Sequence, residues 1–531
     1  MIYTTSTGPY GATGKNSRLR EEERLRSEKK RQRGVSFPSA IKQEYLLIVR
    51  LDLKPSATGE IKLVRQGLRK LCRFLERIDT GEVKIDIKDE GGDVVSSKVS
   101  DFNFSVTVGF GIGFFEKQKI DPKNCPRRLY EMPLHEDLGD PVQYQFTQTD
   151  MILQLCSTKD FVNRWVFKTD SYPITPSEEW WYQAGRPKHN REEKVYDIST
   201  AVSEWAIVTD VHSGFQRLDG RNLMGFMDGI SQPQRLKNDV IWTTWNDETA
   251  ALVDGTYMVF QKIEHDLEQW EKLGVREQER WVGRSKGTGL LLGTLSREED
   301  EKLADDCRSS NPTVSKAARC RLKKLLEEQK DPSKPFYNSS DPRYRNIPLE
   351  CPVWSHVRKA NPRGADGEAK RIIFRRGYLF MEDTIHPGRR LSSGLLFICF
   401  QRDIRNGFEH IKKHYLNNKN FPVPEVRKNF TREEIAYRRM HSRFSEEELR
   451  KWGPYRKSIL GEDGVAYASK LQEAKDPDLQ NTGKEGLAGP SQIGIYPRGD
   501  IVATTTLGGG YYFIPPIPNK KISEIGQQFF E

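Results

Sequence analysis

The chain is 531 residues long, with 36% hydrophobic, 10% aromatic and 30% charged residues and a formal net charge of +10. That length holds one large core or two of ordinary size, since domains run about 100 to 200 residues. No apolar run approaches the roughly 18 residues that a membrane helix needs, which excludes a transmembrane reading.

The first 33 residues carry nine Lys or Arg against four Glu, half of the net charge of the whole. Residues 1–40 therefore read as a basic, flexible tail. It has no apolar core of roughly 7 to 15 residues, so it does not read as a secretory signal, and the expected compartment is the cytoplasm. Its charged block, Arg18 to Arg33, offers a contact for a polyanion or a membrane surface. No aromatic residue is interleaved there to stack on bases, so specific nucleic-acid recognition is not expected and a solvated tail is the simpler reading. Seven cysteines (Cys72, Cys125, Cys156, Cys307, Cys320, Cys351 and Cys399) are scattered without a C-x-x-C pair. That argues for reduced thiols and against a disulfide framework or a structural zinc site.

After the tail, Glu44 to Leu53 predicts a strand. Ile61, Val64, Leu68, Leu71, Leu75 and Ile78 recur at helical spacing and predict a helix. Strands are expected at Asn103–Phe110 and Met151–Cys156, a helix at Lys159–Phe167 and a strand at Trp205–Asp210. This β-α-β-β-α-β order describes a ferredoxin-like unit. The order recurs: a strand at Thr256–Ile263, a helix at His265–Leu273, strands at Arg371–Phe380 and Leu395–Gln401, a helix at Ile404–Tyr415 and a last strand near Tyr511–Ile514. Two charged insertions interrupt it, Ser296–Pro348, with a helix around Ser315–Gln329, and Lys419–Ala488. The expected fold is α+β, with two tandem ferredoxin-like units whose antiparallel sheets pack together with helices outside, of the dimeric α+β barrel type. The expected domains are 41–212 and 213–519, with a cleft between layers for a flat cofactor.

Three segments carry candidate chemistry. In Gly225-Phe226-Met227-Asp228-Gly229, the flanking glycines let backbone approach a ligand beneath an acidic side chain, although an Asp-Gly turn explains the same residues. His356, in Trp354-Ser355-His356-Val357-Arg358, is of a type that serves as an axial ligand to haem iron, yet a lone histidine is more often structural. Arg371-Ile372-Ile373-Phe374-Arg375-Arg376-Gly377-Tyr378 is an apolar strand ending in two arginines, and an arginine in such a setting needs an anion or a polar ligand.

Taken together and in this order, these segments resemble the dye-decolourising peroxidases. Gly225-x-x-Asp228-Gly229 resembles the family signature, His356 with Asn361-Pro362-Arg363 its proximal segment, and Phe374-Arg375-Arg376-Gly377-Tyr378 its distal-arginine strand. Further blocks at Gly255–Val259, Gln278–Arg284, Gly394–Asp403 and Gly508–Phe513 fall in the family's order, so the resemblance spans roughly residues 44 to 516. It implies two ferredoxin-like halves and a haem b cofactor. His356 would be the axial ligand of the iron and Asp228 the proton carrier. Arg375, preferred over Arg376 by its place after the apolar strand, would be the charge-stabilising partner. Arg375, Gly229, Leu395 and Phe397 would contact the haem, the last two walling the distal pocket. The implied activity is reduction of hydrogen peroxide with one-electron oxidation of dyes, phenols or other organic reductants. A haem-binding or iron-releasing protein on the same fold is the alternative, and a homo-oligomer is compatible with either. The carboxylate behind His356 is left open among Asp476, Asp478 and Asp500.

Overall fold

The computed structural model describes residues 30–35, 43–88, 94–138, 140, 142, 143, 145–159, 162, 163, 166, 198–217, 219–227, 240–330, 355–360, 371, 373–383, 391–417 and 503–531. Asp228, Gly229, the tail up to residue 29 and the 419–488 insertion lie outside them.

The N-terminal half contains β1 (Tyr45–Leu53), α1 (Ile61–Asp79), a hairpin β2 (Lys84–Lys88) and β3 (Val94–Lys98), β4 (Ser105–Phe110), α2 (Ile112–Lys117), β5 (Met151–Ser157), α3 (Ile198–Val202) and β6 (Ala206–Phe215). The C-terminal half contains β7 (Thr256–His265), α4 (Leu267–Glu271), α5 (Val275–Val282), α6 (Arg297–Arg308), α7 (Pro312–Lys330) and α8 (His356–Ala360). It continues through β8 (Phe374–Arg375), β9 (Tyr378–Asp383), β10 (Leu391–Gln401), a π-helical stretch (Arg405–Glu409 and Ile411–Leu416) and β11 (Thr504–Ile514).

Strand order is β7-β11-β4-β5-β1-β6-β9-β10-β8, and β7 also pairs with β10. Each half contributes a four-stranded antiparallel sheet in ferredoxin-like order, β4-β5-β1-β6 and β11-β7-β10-β9. The two sheets join edge to edge where Phe513 faces Phe110 and where Phe215 faces Leu379, so eight strands close into a ring. The α+β expectation of two ferredoxin-like units holds, with the sheets packed as the walls of one barrel.

Closure on one side and α1 on the other explain why β1 is apolar on both faces rather than alternating with polar residues. Leu46 and Ile48 of β1 join Met258, Phe260, Tyr378, Phe380, Leu396, Ile398 and Phe400 inside the ring. Leu47, Val49 and Leu51 of the same strand pack outward with Val64, Leu68, Leu71, Leu75 and Ile78 of α1. α1 lies so close to the chain that a Cβ on Gly67 would collide with the Trp205 indole. A core side chain at that position has no room.

Several elements depart from their expected form. Residues 30–35, assigned by charge to the flexible tail, close one end of the ring. Gln32 and Val35 are buried, Gln32 donates to Val108 O and Pro515 O and accepts from Val108 N, and Arg31 pairs with Asp254 at 2.9 Å. The reason is that Gln32 satisfies backbone groups at the barrel end, which charge counting does not register. β7 runs through His265, so the expected His265–Leu273 helix shrinks to Leu267–Glu271. The expected Arg371–Phe380 strand splits into β8 and β9. Of the expected Lys159–Phe167 helix, Lys159 is a bend, and Val162, Asn163 and Val166 are helical. The charged 296–348 insertion contains a helical hairpin. Ser296 caps α6 with a reciprocal Ser296–Glu299 box, and Leu303, Ala318, Leu322, Leu325 and Leu326 close it against α7.

Both faces of the barrel wall hold buried ionisable groups, His212 inside the ring and His265 on the outward side of β7. Burial, then the Lys262 and Arg50 cations, depress the His212 imidazole well below its ordinary range, and burial brings His265 down to about 4. Both are therefore neutral in the fold but protonate near pH 6.5 once unfolded. Between about pH 6.5 and 4 the unfolded chain binds more protons, so stability is full above that window and falls as pH drops through it. Denaturant melts at pH 7.5 and pH 5 should show the loss, and His212→Phe, which cannot titrate, should lose less than the parent protein over the same interval.

Candidate active site

The segment leading into Asp228 is held from both sides. Gly225 takes a left-handed φ of 89° that disfavours side chains with a Cβ. Asn222 Oδ1 accepts from Phe226 N at 3.0 Å, and Arg221 donates to Gly225 O at 2.7 Å and Gly287 O at 2.9 Å. Phe226 and Met224 then enter an apolar cluster with Trp270, Leu273, Trp281 and Val282, against which Val357 also packs. Val357 is the neighbour of His356, so the loop up to Met227 and the histidine helix share one cluster.

α8 is placed by α5. That helix ends on Gly283 with a left-handed φ of 87°, and a Cβ there would meet Ser355 Oγ and lie 2.6 Å from Val357 Cγ2. Only glycine lets the two segments approach so closely. His356 is half-buried in this position. Three residues on, burial lowers the Lys359 ammonium to about 7. The other end of α8 packs through Ala360, with Ile373, on Ile411, Tyr415 and Leu416 of the π-helical stretch. Ile373 stands immediately before β8, so the π-helical stretch seats both the His356 helix and the Arg375 strand.

The adjacent arginines separate because a strand alternates its faces. Arg376 points into the ring, fully buried, where its guanidinium donates to Gly34 O, to Gln43 Oε1 at 2.9 Å and to Tyr378 Oη at 3.0 Å. Arg375 faces outward and is half-buried opposite Cys399. Leu395 and Phe397 share that outward face of β10 with Cys399 by the same period.

Four sequence-predicted residues, His356, Arg375, Leu395 and Phe397, thus lie on segments that meet around one face of the C-terminal sheet. Asp228 and Gly229, and the carboxylates Asp476, Asp478 and Asp500, lie outside the described residues. β10 is paired on both edges, by β7 and by β9 with β8, and its inward side chains Leu396 and Ile398 have no exposure. Its outward Leu395 and Phe397 keep partial exposure. An apolar surface half-open at the centre of a sheet, bordered by a cation and an imidazole segment, fits a flat, apolar, anionic macrocycle such as haem. Lys359 gave no signal in the sequence, because its burial depends on the packing of α8.

The chain matches two family models, Dyp-type peroxidase, N-terminal, over residues 39–168 and Dyp-type peroxidase, C-terminal, over residues 219–422. It belongs to the Dyp-type peroxidase family. As a member it falls among haem-dependent enzymes of peroxidase type. Curated relatives include a protein named Deferrochelatase from Shigella flexneri serotype 5b (strain 8401), 25% identical over 395 residues that cover 72% of this chain and 77% of that protein. Another, also named Deferrochelatase, from Escherichia coli (strain K12), is 24% identical over the same shares. Among solved structures, a DyP-type peroxidase from Cellulomonas bogoriensis has a TM-score of 0.51 at 18% identity, covering 93% of this chain and 96% of that one. Ferric DtpA from Streptomyces lividans has a TM-score of 0.52 at 18% identity, covering 94% and 96%. At that identity the two structures speak to the fold.

The two arginines should respond differently to substitution. Arg376→Met removes a buried guanidinium and strands Gly34 O and Gln43, so it should cost about 3 kcal/mol of stability. Arg375→Met should cost distinctly less and show its effect in haem chemistry. Thermal melts of the two variants beside the parent check the ordering.

Proposed function

We propose that this chain is a haem b peroxidase that reduces hydrogen peroxide and oxidises dyes, phenols or other organic reductants in one-electron steps, with the haem held by the C-terminal half, 213–519. The observation that carries the reading is the convergence of the loop ending at Met227, the His356 helix and the Arg375 strand on one half-open apolar face.

In this reading His356 would hold the haem iron and Leu395 and Phe397 would form the apolar wall, with Gly229 allowing close backbone approach. Bound haem supplies a redox-active iron at which peroxide is cleaved and from which single electrons are drawn. Asp228 would take a proton from one oxygen of hydrogen peroxide and return it to the other. Arg375 would supply a fixed positive charge that stabilises the charge developing as peroxide is cleaved. Arg376 takes no part, since its donors are committed inside the ring. The cytoplasm is the proposed compartment, in keeping with the free thiols of Cys72, Cys125, Cys156, Cys307, Cys320 and Cys399.

The Deferrochelatase relatives favour a second reading, in which the same site binds haem and releases its iron. Peroxide turnover separates the two. The peroxidase should show a Soret band that responds to peroxide and should bleach a dye, whereas an iron-releasing protein would liberate metal-free porphyrin without doing so. His356→Ala should lose the five-coordinate ferric spectrum, and Asp228→Asn should lose about 100-fold or more in the peroxide step while still binding haem. A normal ferric spectrum in His356→Ala would rule out that ligand, and full activity of Asp228→Asn at every pH would place the proton transfer elsewhere.

A further inference from the structure

The π-helical stretch carries two histidines that the haem reading does not use. His410 and His414 stand four residues apart, so both rings rise from one face of the stretch, one turn above the other. Their ring centroids are 4.6 Å apart with 40° between the planes. Among the described residues neither imidazole has a hydrogen-bond partner. His414 is exposed and His410 half-buried, so a solute reaches the pair from the surface.

The spacing suits a metal held between the rings. An imidazole nitrogen bonds a divalent metal at about 2.0–2.1 Å, which puts the metal roughly 3.2 Å from each ring centre and, for centres 4.6 Å apart, sets an angle of about 90° at the metal. Two donors at a right angle make the cis corner of a tetragonal site, the geometry of copper(II) and nickel(II), whereas zinc(II) takes a tetrahedral opening. The His410 ring is also fixed in advance. Tyr415 stands across it at 88° with centroids 4.9 Å apart, and Arg371 donates to Tyr415 Oη at 2.6 Å. Little side-chain freedom is then lost when a ligand binds.

The charges around the pair select the class of metal. Burial first, then the Arg371 and His414 charges, bring His410 down to about 4, so it is a neutral donor at neutral pH. Arg371 repels a bare cation, and the neighbouring carboxylate is turned away, Glu409 accepting from Tyr511 Oη at 3.1 Å and standing 3.8 Å from Lys413 Nζ. The pair therefore offers nitrogen alone. That donor set does not suit the oxygen-seeking calcium, magnesium or manganese ions, and copper(II) heads the series of metals that bond imidazole.

We propose that His410 and His414 form a two-imidazole chelate for a divalent transition metal, copper(II) foremost, on the exposed face of the π-helical stretch. The inference stands without the haem reading. Ile411 and Tyr415, each next to one of the histidines in sequence, seat Ala360 and Ile373, so a metal that joins the two turns also stiffens the seat of α8.

The test titrates copper(II) sulfate into the untagged full chain against a competing chelator, and counts coordinated imidazoles by nitrogen modulation in pulsed electron paramagnetic resonance. A Cys320→Ser background keeps the exposed thiol from reducing the metal. The expected result is one copper held by two imidazoles, zinc(II) held about tenfold or more weakly, and slower hydrogen exchange over residues 355–360 once copper is bound. His414→Gln changes an exposed side chain and should lower copper affinity about 100-fold by removing one arm of the chelate, leaving one imidazole on the metal. A parent chain that holds no copper, a single imidazole on its copper, or an affinity unchanged in His414→Gln overturns the proposal. Exchange over 355–360 that ignores copper overturns the link to α8.

Discussion

Closing eight strands into a ring forces every strand to bury its inward face, and the placement of the charged side chains that point into the ring follows from that constraint. A strand in an open sheet turns polar residues to water on alternate positions. Here much of the wall is lined on both sides, by the ring interior and by outer helices, while β6 leaves Ile207 and Thr209 exposed. Polar groups in the wall must find partners in place, as Lys262 does with Glu382 and Arg50 with Asp210.

The pair Arg375 and Arg376 shows how much follows from this. One residue of register places a guanidinium either among fixed acceptors inside the ring or on the half-open apolar face outside it. The inner arginine secures residues 30–35 through Gly34 O and so links barrel closure to the end plug. The outer one stands half-buried on the other face, opposite Cys399. Two adjacent residues of identical type thus serve opposite faces of one wall, the inner one committed to barrel closure.

The π-helical stretch 405–416 has a comparable double role. Ile411 and Tyr415 seat Ala360 and Ile373, which fixes the histidine helix against the arginine strand. Phe408 and Glu409, within the same stretch, contact the ring face and Tyr511. π-Helical segments of this kind are frequent at functional sites, and here one element carries the His410 and His414 pair and seats the candidate haem face.

The sequence by itself determined the two β-α-β-β-α-β runs, because apolar periodicity survives in β1, α1, β7 and β10 whatever the surroundings. It also determined the order of the segments bearing Asp228, His356 and Arg375, and through them the family. It left Arg375 and Arg376 to be told apart by resemblance, since both sit after the same apolar run and the side each faces depends on which strand pairs with it. The burial of residues 30–35 was hidden for a related reason: six residues in a basic stretch look solvated until Gln32 meets Val108 and Pro515 from distant parts of the chain. Glu409 and Tyr511 lie far apart in sequence and share a face only because the π-helical stretch packs across β11. Local pattern records propensity and period, so it specifies elements and motifs. Contacts between residues hundreds of positions apart are set by closure of the ring, and only the tertiary structure decided those.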